Sequence, residues 1–268
     1  MGIAKLPSNG TEHSSASRWL IPLASRPSAS VRAYLFPPPG TGASFYLPLA
    51  EELPAFMEPV ALQAPGREER SAEPRVKHYS KLVEATTEAM SAAGSSKPSV
   101  FLGYCASGIW AFETGRALVN KGAQGPLLLG VCAAPAPGEA AKYTRYMARP
   151  DRAVRALLQE QALTPDMREL ATQAIYRDLI TVLSYRYSPG AQVTCPVSLF
   201  SGEEDAIIPR NLVRRWDAYT SSRVIADRAY AGGHVFLREH WDTVAQHFCS
   251  DVKAVLASQP EEPSSPLR

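Results

Sequence analysis

The stretch Pro98-Ser99-Val100-Phe101-Leu102-Gly103-Tyr104-Cys105-Ala106-Ser107-Gly108 constrains the fold of this chain more than any other. A short apolar strand, Pro98 to Leu102, runs into a tight turn of small residues. An amphipathic helix follows at once, Ile109-Trp110-Ala111-Phe112-Glu113-Thr114-Gly115-Arg116-Ala117-Leu118. This is the strand–turn–helix setting in which a nucleophile is presented on a sharp, strained bend. Such a bend requires small residues two places before and two places after its nucleophile. Around Cys105 those neighbours are Gly103 and Ser107, which fit. Around Ser107, the alternative, they would be Cys105 and the β-branched Ile109, which packs badly there. Cys105 is therefore the expected nucleophile. Taken alone, G-x-C-x-S could also describe a buried cysteine acting as a small hydrophobe.

The bend has the form of the nucleophile elbow of α/β-hydrolases, normally G-x-S-x-G, with a thiol where the hydroxyl would stand. That fold requires an acid and then a histidine, in that chain order. Downstream, the apolar strand Pro196-Val197-Ser198-Leu199-Phe200 ends in Ser201-Gly202-Glu203-Glu204-Asp205. A carboxylate on the loop just past a strand's C-terminal end is where an α/β sheet builds its site. Asp205 is the expected acid and Glu204 the alternative. Further on, Tyr230-Ala231-Gly232-Gly233-His234-Val235-Phe236-Leu237 puts a histidine after a glycine pair that lets the loop turn tightly. His234 can take the thiol proton while Asp205 holds its tautomer. His13 lies in a polar tail, His78 precedes the elbow, and His240 and His247 read as surface or packing residues of the last helix.

Length and composition agree with one α/β domain. A chain of 268 residues can bury a sizeable core. No run of eighteen apolar residues spans a membrane, and no basic region with an apolar core and cleavage site marks secretion. A net charge of +2 without a long basic block argues against nucleic acid as a partner. Cys105, Cys132, Cys195 and Cys249 lack metal-type spacing. Cys132 and Cys195 fall in or beside apolar runs, as reduced core cysteines of a cytoplasmic protein do.

Polar residues 1–17 and Pro- and Ser-rich residues 258–268 read as flexible tails around a domain at 18–257. Within it, strands at Val31–Phe36, Val60–Gln63, Pro98–Leu102, Leu127–Cys132 and Pro196–Phe200 alternate with helices near Tyr46–Leu53, Tyr79–Ala93 and after the elbow. The expected architecture is a mostly parallel sheet with helices on both faces. Residues 135–190 interrupt the alternation with helical stretches at Arg152–Gln161, Pro165–Ile175 and Arg177–Tyr185. They form a helical lid insertion, whose Tyr143, Tyr146, Met147, Leu157 and Leu158 could line a pocket or pack as core.

Three blocks give the chain a family resemblance. They are Leu35-Phe36-Pro37-Pro38-Pro39-Gly40-Thr41-Gly42-Ala43-Ser44-Phe45-Tyr46, Gln63-Ala64-Pro65-Gly66-Arg67-Glu68-Glu69-Arg70, and the elbow with Ala111-Phe112-Glu113, supported by Gly202-Glu203-Glu204-Asp205 and Gly232-Gly233-His234. From about Trp19 to Phe248 the chain resembles the type II thioesterases, α/β-hydrolases of nonribosomal peptide and polyketide synthesis. The resemblance implies action on acyl or aminoacyl groups held by the phosphopantetheine arm of carrier proteins, with no bound cofactor of its own. It also implies an oxyanion hole made by the backbone N–H of Ala106 and one from the early loop. Two departures stand out. The family's Gly-His-Ser-Met-Gly is Gly103-Tyr104-Cys105-Ala106-Ser107 here, and its His-Ala-Gly-Gly is Pro38-Pro39-Gly40-Thr41. Proline has no N–H, so the early-loop donor falls to Gly40, with Thr41 as the alternative. A cysteine nucleophile forms a thioester close in energy to the pantetheine thioester it came from. In that respect the chain is similar to cysteine-dependent aminoacyltransferases of the superfamily. They pass an aminoacyl group from a donor to an acceptor carrier protein during antibiotic and modified amino-acid biosynthesis. Aminoacyl transfer through Cys105 is the expected activity and hydrolytic clearing of misacylated carrier proteins the alternative. Arg32, Arg67, Arg70, Arg75 and Lys77 are a candidate docking patch for an acidic carrier protein.

Overall fold

The computed structural model describes residues 18–140 and 164–259, together with Val154 and Leu158. Its centre is a seven-stranded sheet in the order β1-β3-β2-β4-β5-β6-β7. The strands are β1 (Leu20–Pro22), β2 (Val31–Phe36), β3 (Met57–Leu62), β4 (Ser99–Tyr104), β5 (Leu129–Cys132), β6 (Val197–Gly202) and β7 (Val224–Tyr230). Only β1 runs antiparallel, pairing Leu20 with Leu62; every other neighbouring pair is parallel. Strands β4, β5 and β6 are buried along almost their whole length, which is why they read as unbroken apolar runs.

The helices are α1 (Leu47–Glu52), α2 (Tyr79–Ala93), α3 (Ser107–Asn120), α4 (Pro165–Leu183), α5 (Arg210–Val213) and α6 (Trp241–Ala257). Alternate strand residues feed two cores, because successive side chains of a strand point to opposite faces. Tyr34, Phe36 and Phe101 pack with Tyr79, Leu82, Trp110 and Phe112 of α2 and α3. Ala33, Leu35, Val100 and Leu102 pack with Leu49 of α1 and Val244, Phe248 and Val252 of α6. The sheet is thus covered on both faces, the α/β-hydrolase arrangement expected from the sequence.

Several boundaries differ from expectation. β3 begins at Met57 rather than Val60. Pro59 obscures the strand in the sequence, yet β1 pairs only with residues 60–62, so the proline lies beyond that ladder. The edge strands β1 and β7 carry no clear sequence signal: the first has three residues and the second is mixed in polarity. The stretches expected at Pro165–Ile175 and Arg177–Tyr185 are one helix, α4. Thr164 caps it by accepting from Met167 N–H at 3.3 Å, and Pro165 takes the first turn. Apart from Val154 and Leu158, the expected helix Arg152–Gln161 lies outside the described residues. So do Tyr143, Tyr146, Met147, Leu157 and the 1–17 tail, and all of the 258–268 tail but Ser258 and Gln259.

Candidate active site

Cys105 sits at the C-terminal end of β4 with φ of 56°, one of three non-glycine residues in the left-handed region among those described. Its N–H donates to Cys132 O at 2.8 Å and its carbonyl accepts from Gly108 N–H at 3.0 Å, which holds the bend in place. The neighbours must be small for a reason visible in the packing. A Cβ built on Gly103 would lie 2.4 Å from Ser107 O and 2.7 Å from Gly108 Cα. Ser107 opens α3, and its hydroxyl donates to Pro37 O at 2.6 Å, tying the elbow to the early loop. The hydroxyl is buried and spent on that bond.

Asp205 and His234 meet on the loops after β6 and β7. His234 Nδ1 lies 2.8 Å from Asp205 Oδ2, while Asp205 Oδ1 accepts from Ile207 and Ile208 N–H, each at 2.8 Å. The carboxylate is therefore fixed at both oxygens and aims the imidazole. Glu204, the alternative acid, is exposed. His234 is 2% exposed, and its Nε2 is buried without a hydrogen-bond partner in good geometry. Burial works against the imidazolium. The Cys105 charge beside it and the hydrogen bond to Asp205 outweigh that penalty, and the His234 pKa is held above the ordinary histidine value. His240 and His247 stay outside the site, bonding Ala231 O and the Tyr230 hydroxyl.

Tyr104, in the variable position of the elbow, stacks on His234 with ring centroids 5.7 Å apart, and its hydroxyl donates to the His234 carbonyl. It braces the histidine loop from the sheet side, a role the sequence did not signal.

The early loop is a type II turn. Pro39 precedes Gly40, whose φ is 85°, and Thr41 N–H closes the turn on Pro38 O at 3.2 Å. Gly40 N–H donates to Asp178 Oδ2 of α4 at 2.6 Å. Ala106 N–H has no acceptor among the described residues. The Gln63–Arg70 block braces this loop from below. Gln63 Oε1 accepts from Ala43 N–H at 2.7 Å, and Glu68 accepts from Ser44 N–H at 3.1 Å. Arg67 pairs with Asp178 and Arg75 reaches the same carboxylate at 3.4 Å.

Of the candidate docking patch, Lys77 is exposed and Arg75 half-buried, whereas the other three arginines are engaged within the fold. Arg67 and Arg70 are buried. Arg70 spends its guanidinium on Glu73 and on Gln63 O, and Arg32 is paired with Glu58. These cations hold the fold, because a guanidinium taken out of water needs a fixed anion.

A cavity of about 380 Å³ opens onto Cys105 and His234. Phe45, Leu158, Met167, Leu170, Ile175 and Val235 form its apolar wall, with Arg238 at the rim. Met167 and Leu170 on α4 are 53% and 67% exposed, large apolar side chains left at the pocket's edge. The Arg238 guanidinium lies 5.6 Å from the Phe45 ring centroid.

Fold and strand order define an α/β-hydrolase, with a thiol at the elbow and a histidine–aspartate pair on the two expected loops. The chain belongs to the thioesterase domain family, which it matches over residues 32–252. It is 29% identical over 250 residues to thioesterase PikA5 of Streptomyces venezuelae, covering 87% of this chain and 84% of that one. It is 26% identical to the gramicidin S biosynthesis protein GrsT of Aneurinibacillus migulanus, across 91% and 97% of the two chains. The type II thioesterase BorB of the borrelidin biosynthetic cluster superposes with a TM-score of 0.74 at 25% identity, over 90% of this chain and 99% of BorB. PikA5 and BorB carry the name thioesterase, so these likenesses support thioester chemistry and favour the hydrolytic alternative over aminoacyl transfer.

Proposed function

We propose that this protein cleaves acyl thioesters borne on the phosphopantetheine arm of carrier proteins, through an acyl-Cys105 intermediate that is released to water. The observation that carries the reading is the left-handed Cys105 bend facing a buried His234 that Asp205 fixes at 2.8 Å. His234 Nε2 accepts the thiol proton as Cys105 sulfur attacks the acyl carbon. The donor C–S bond breaks and the pantetheine thiolate leaves with the proton from His234. Water then attacks the acyl-enzyme, gives its proton to His234, and Cys105 leaves as thiolate and is reprotonated. Ala106 N–H and Gly40 N–H are the donors assigned to the oxyanion. The apolar pocket suits an apolar acyl group, and Arg238 at its rim opposes a positively charged one. The enzyme would work in the cytosol beside its carrier proteins.

Transfer of an aminoacyl group to a second carrier protein is the alternative reading, and one observation favours it. The nucleophile is a thiol, so attack on acyl-Cys105 by an acceptor pantetheine thiol exchanges one thioester for another, nearly thermoneutrally. Incubation with acyl-loaded carrier protein, followed by intact mass, separates the two. An adduct on wild type and not on Cys105→Ala that decays to free acid supports hydrolysis. An adduct that passes to an added holo carrier protein supports transfer. No adduct with apolar acyl or aminoacyl carriers refutes Cys105 as nucleophile.

A further inference from the structure

The early loop offers an oxyanion no free donor in the arrangement seen here. Pro38 and Pro39 have no N–H. Thr41 N–H and hydroxyl both close on Pro38 O, at 3.2 and 2.8 Å. Gly40 N–H is held by Asp178 Oδ2 at 2.6 Å. The other oxygen of that carboxylate, Oδ1, takes Arg67 and Arg75. Arg67 is 7% exposed and anchored besides by its own bond to Gly66 O, at 2.8 Å. Asp178 is thus fixed from the sheet side through its arginines, and it fixes the turn through Gly40. It belongs to α4, the helix whose Met167, Leu170 and Ile175 wall the Cys105 pocket. Ile175 presses on the same glycine: a Cβ added at Gly40 would fall 2.4 Å from Ile175 Cγ1.

We propose that Asp178 is a positioning residue that latches α4 onto the early loop and withholds the Gly40 N–H from the oxyanion. The inference rests on the reading of Ala106 and Gly40 as the oxyanion donors. An acyl group entering the pocket bears on the wall that α4 supplies. A shift of that helix carries Asp178 off the glycine, so the second donor is completed only when the pocket is filled. Full catalytic power is thereby tied to filling of the pocket, and a small thioester whose short acyl group leaves α4 in place is turned over with one donor.

Asp178→Asn separates the latch from the strut. The amide oxygen still accepts from Arg67 and Arg75, while its NH₂ replaces the acceptor facing Gly40 and sets donor against donor. The measurement is kcat and KM for acetyl-N-acetylcysteamine, a small thioester that leaves the pocket empty, and for a long apolar acyl group on a carrier protein, by product quantification. One oxyanion donor is worth about 10²–10³ in rate, so kcat for the small thioester should rise about tenfold or more, with the carrier-borne substrate changing much less. A kcat for the small thioester that is unchanged or lower, with the melting temperature retained, overturns the latch. A strut alone would lower both substrates together. Ile175→Ala loosens α4 on Gly40 without touching the ion pair; it should move the ratio of the two rates in the same direction and carries the test if Asp178→Asn fails to fold. Absence of turnover by wild type on both substrates overturns the catalytic reading and the latch with it.

Discussion

Replacing Gly103 by alanine tests whether the bend at Cys105 is a reactive elbow or merely a tight connection. The new Cβ would sit 2.4 Å from Ser107 O and 2.7 Å from both Ser107 C and Gly108 Cα, all backbone atoms of the first turn of α3. Carbon and oxygen in van der Waals contact need roughly an ångström more, and no side chain can rotate to make room. The turn must move, and Cys105 lies within it. Overpacking of this kind costs about 1–3 kcal/mol, which lowers the melting temperature of a domain this size by roughly 2–12 °C. Displacing a reacting group by about 1 Å costs on the order of 10²-fold in rate. Thermal unfolding by circular dichroism and kcat/KM on an acyl thioester should therefore show a moderate loss of stability and a larger loss of rate. Gly94→Ala is the control. Gly94 has φ of 54°, and an added Cβ there meets nothing within 4 Å. It should lose about 1–2 kcal/mol to the left-handed backbone and keep its rate. If Gly103→Ala stays within threefold of wild type in kcat/KM, the steric argument that selected Cys105 is wrong.

Asp205→Asn leaves the two backbone bonds at Oδ1 possible but loses the tautomer and charge at His234, so single-turnover thioester cleavage should fall by about 10⁴; a loss under tenfold would remove Asp205 from the machinery. Ser107→Ala forfeits the bond to Pro37 O and about 1 kcal/mol by urea unfolding, but should keep acyl-enzyme formation by intact mass. Loss of the adduct in this variant, or its survival in Cys105→Ala, would transfer the nucleophile to Ser107. The pKa of His234 is raised in the folded state. Its protonation thus stabilises the fold in full below the ordinary value near 6.5 and loses that contribution as pH rises through the raised value. NMR titration of the His234 ring, assigned with His234→Gln, should give a midpoint above 6.5 that falls in Cys105→Ala; equal midpoints would mean the thiol charge does not reach the imidazole.

The residues that could be read in the sequence are those whose local surroundings dictate them. Cys105, Asp205 and His234 each stand where a strand ends in small or turn-forming residues, so short windows betray them. Central strands β4, β5 and β6 were equally legible, because burial on both faces demands continuous apolar runs. Long-range partnerships were not. Asp178 meets Gly40 across 138 residues, and nothing in the amphipathic pattern of α4 distinguishes its carboxylate from a solvated one. Tyr104 looked like a substitution for a family histidine and proves to be the prop under His234. Arg67 and Arg70 looked like surface charge because the sequence cannot show that Asp178, Glu73 and Gln63 O await them. The Pro38-Pro39-Gly40-Thr41 run is intermediate: it announces a turn, but what its Gly40 N–H meets depends on the helix above it.

The thiol and the proline-rich turn make more sense together than apart. A serine nucleophile is a poor one until its proton has gone, so attack and charge development on the acyl oxygen must be supported at once, by the base and by the hole. A thiol gives up its proton more readily and is intrinsically the better nucleophile, so its attack leans less on the hole. Such a site can afford a turn in which Pro39 supplies no donor and Gly40 shares its own with Asp178. Restoring the donor by Pro39→Ala should therefore help a Cys105→Ser enzyme more than it helps the wild type. Comparing kcat for a small thioester in the two backgrounds measures the difference. Equal gains would mean that thiol and turn act independently, and the pairing argued here would fall.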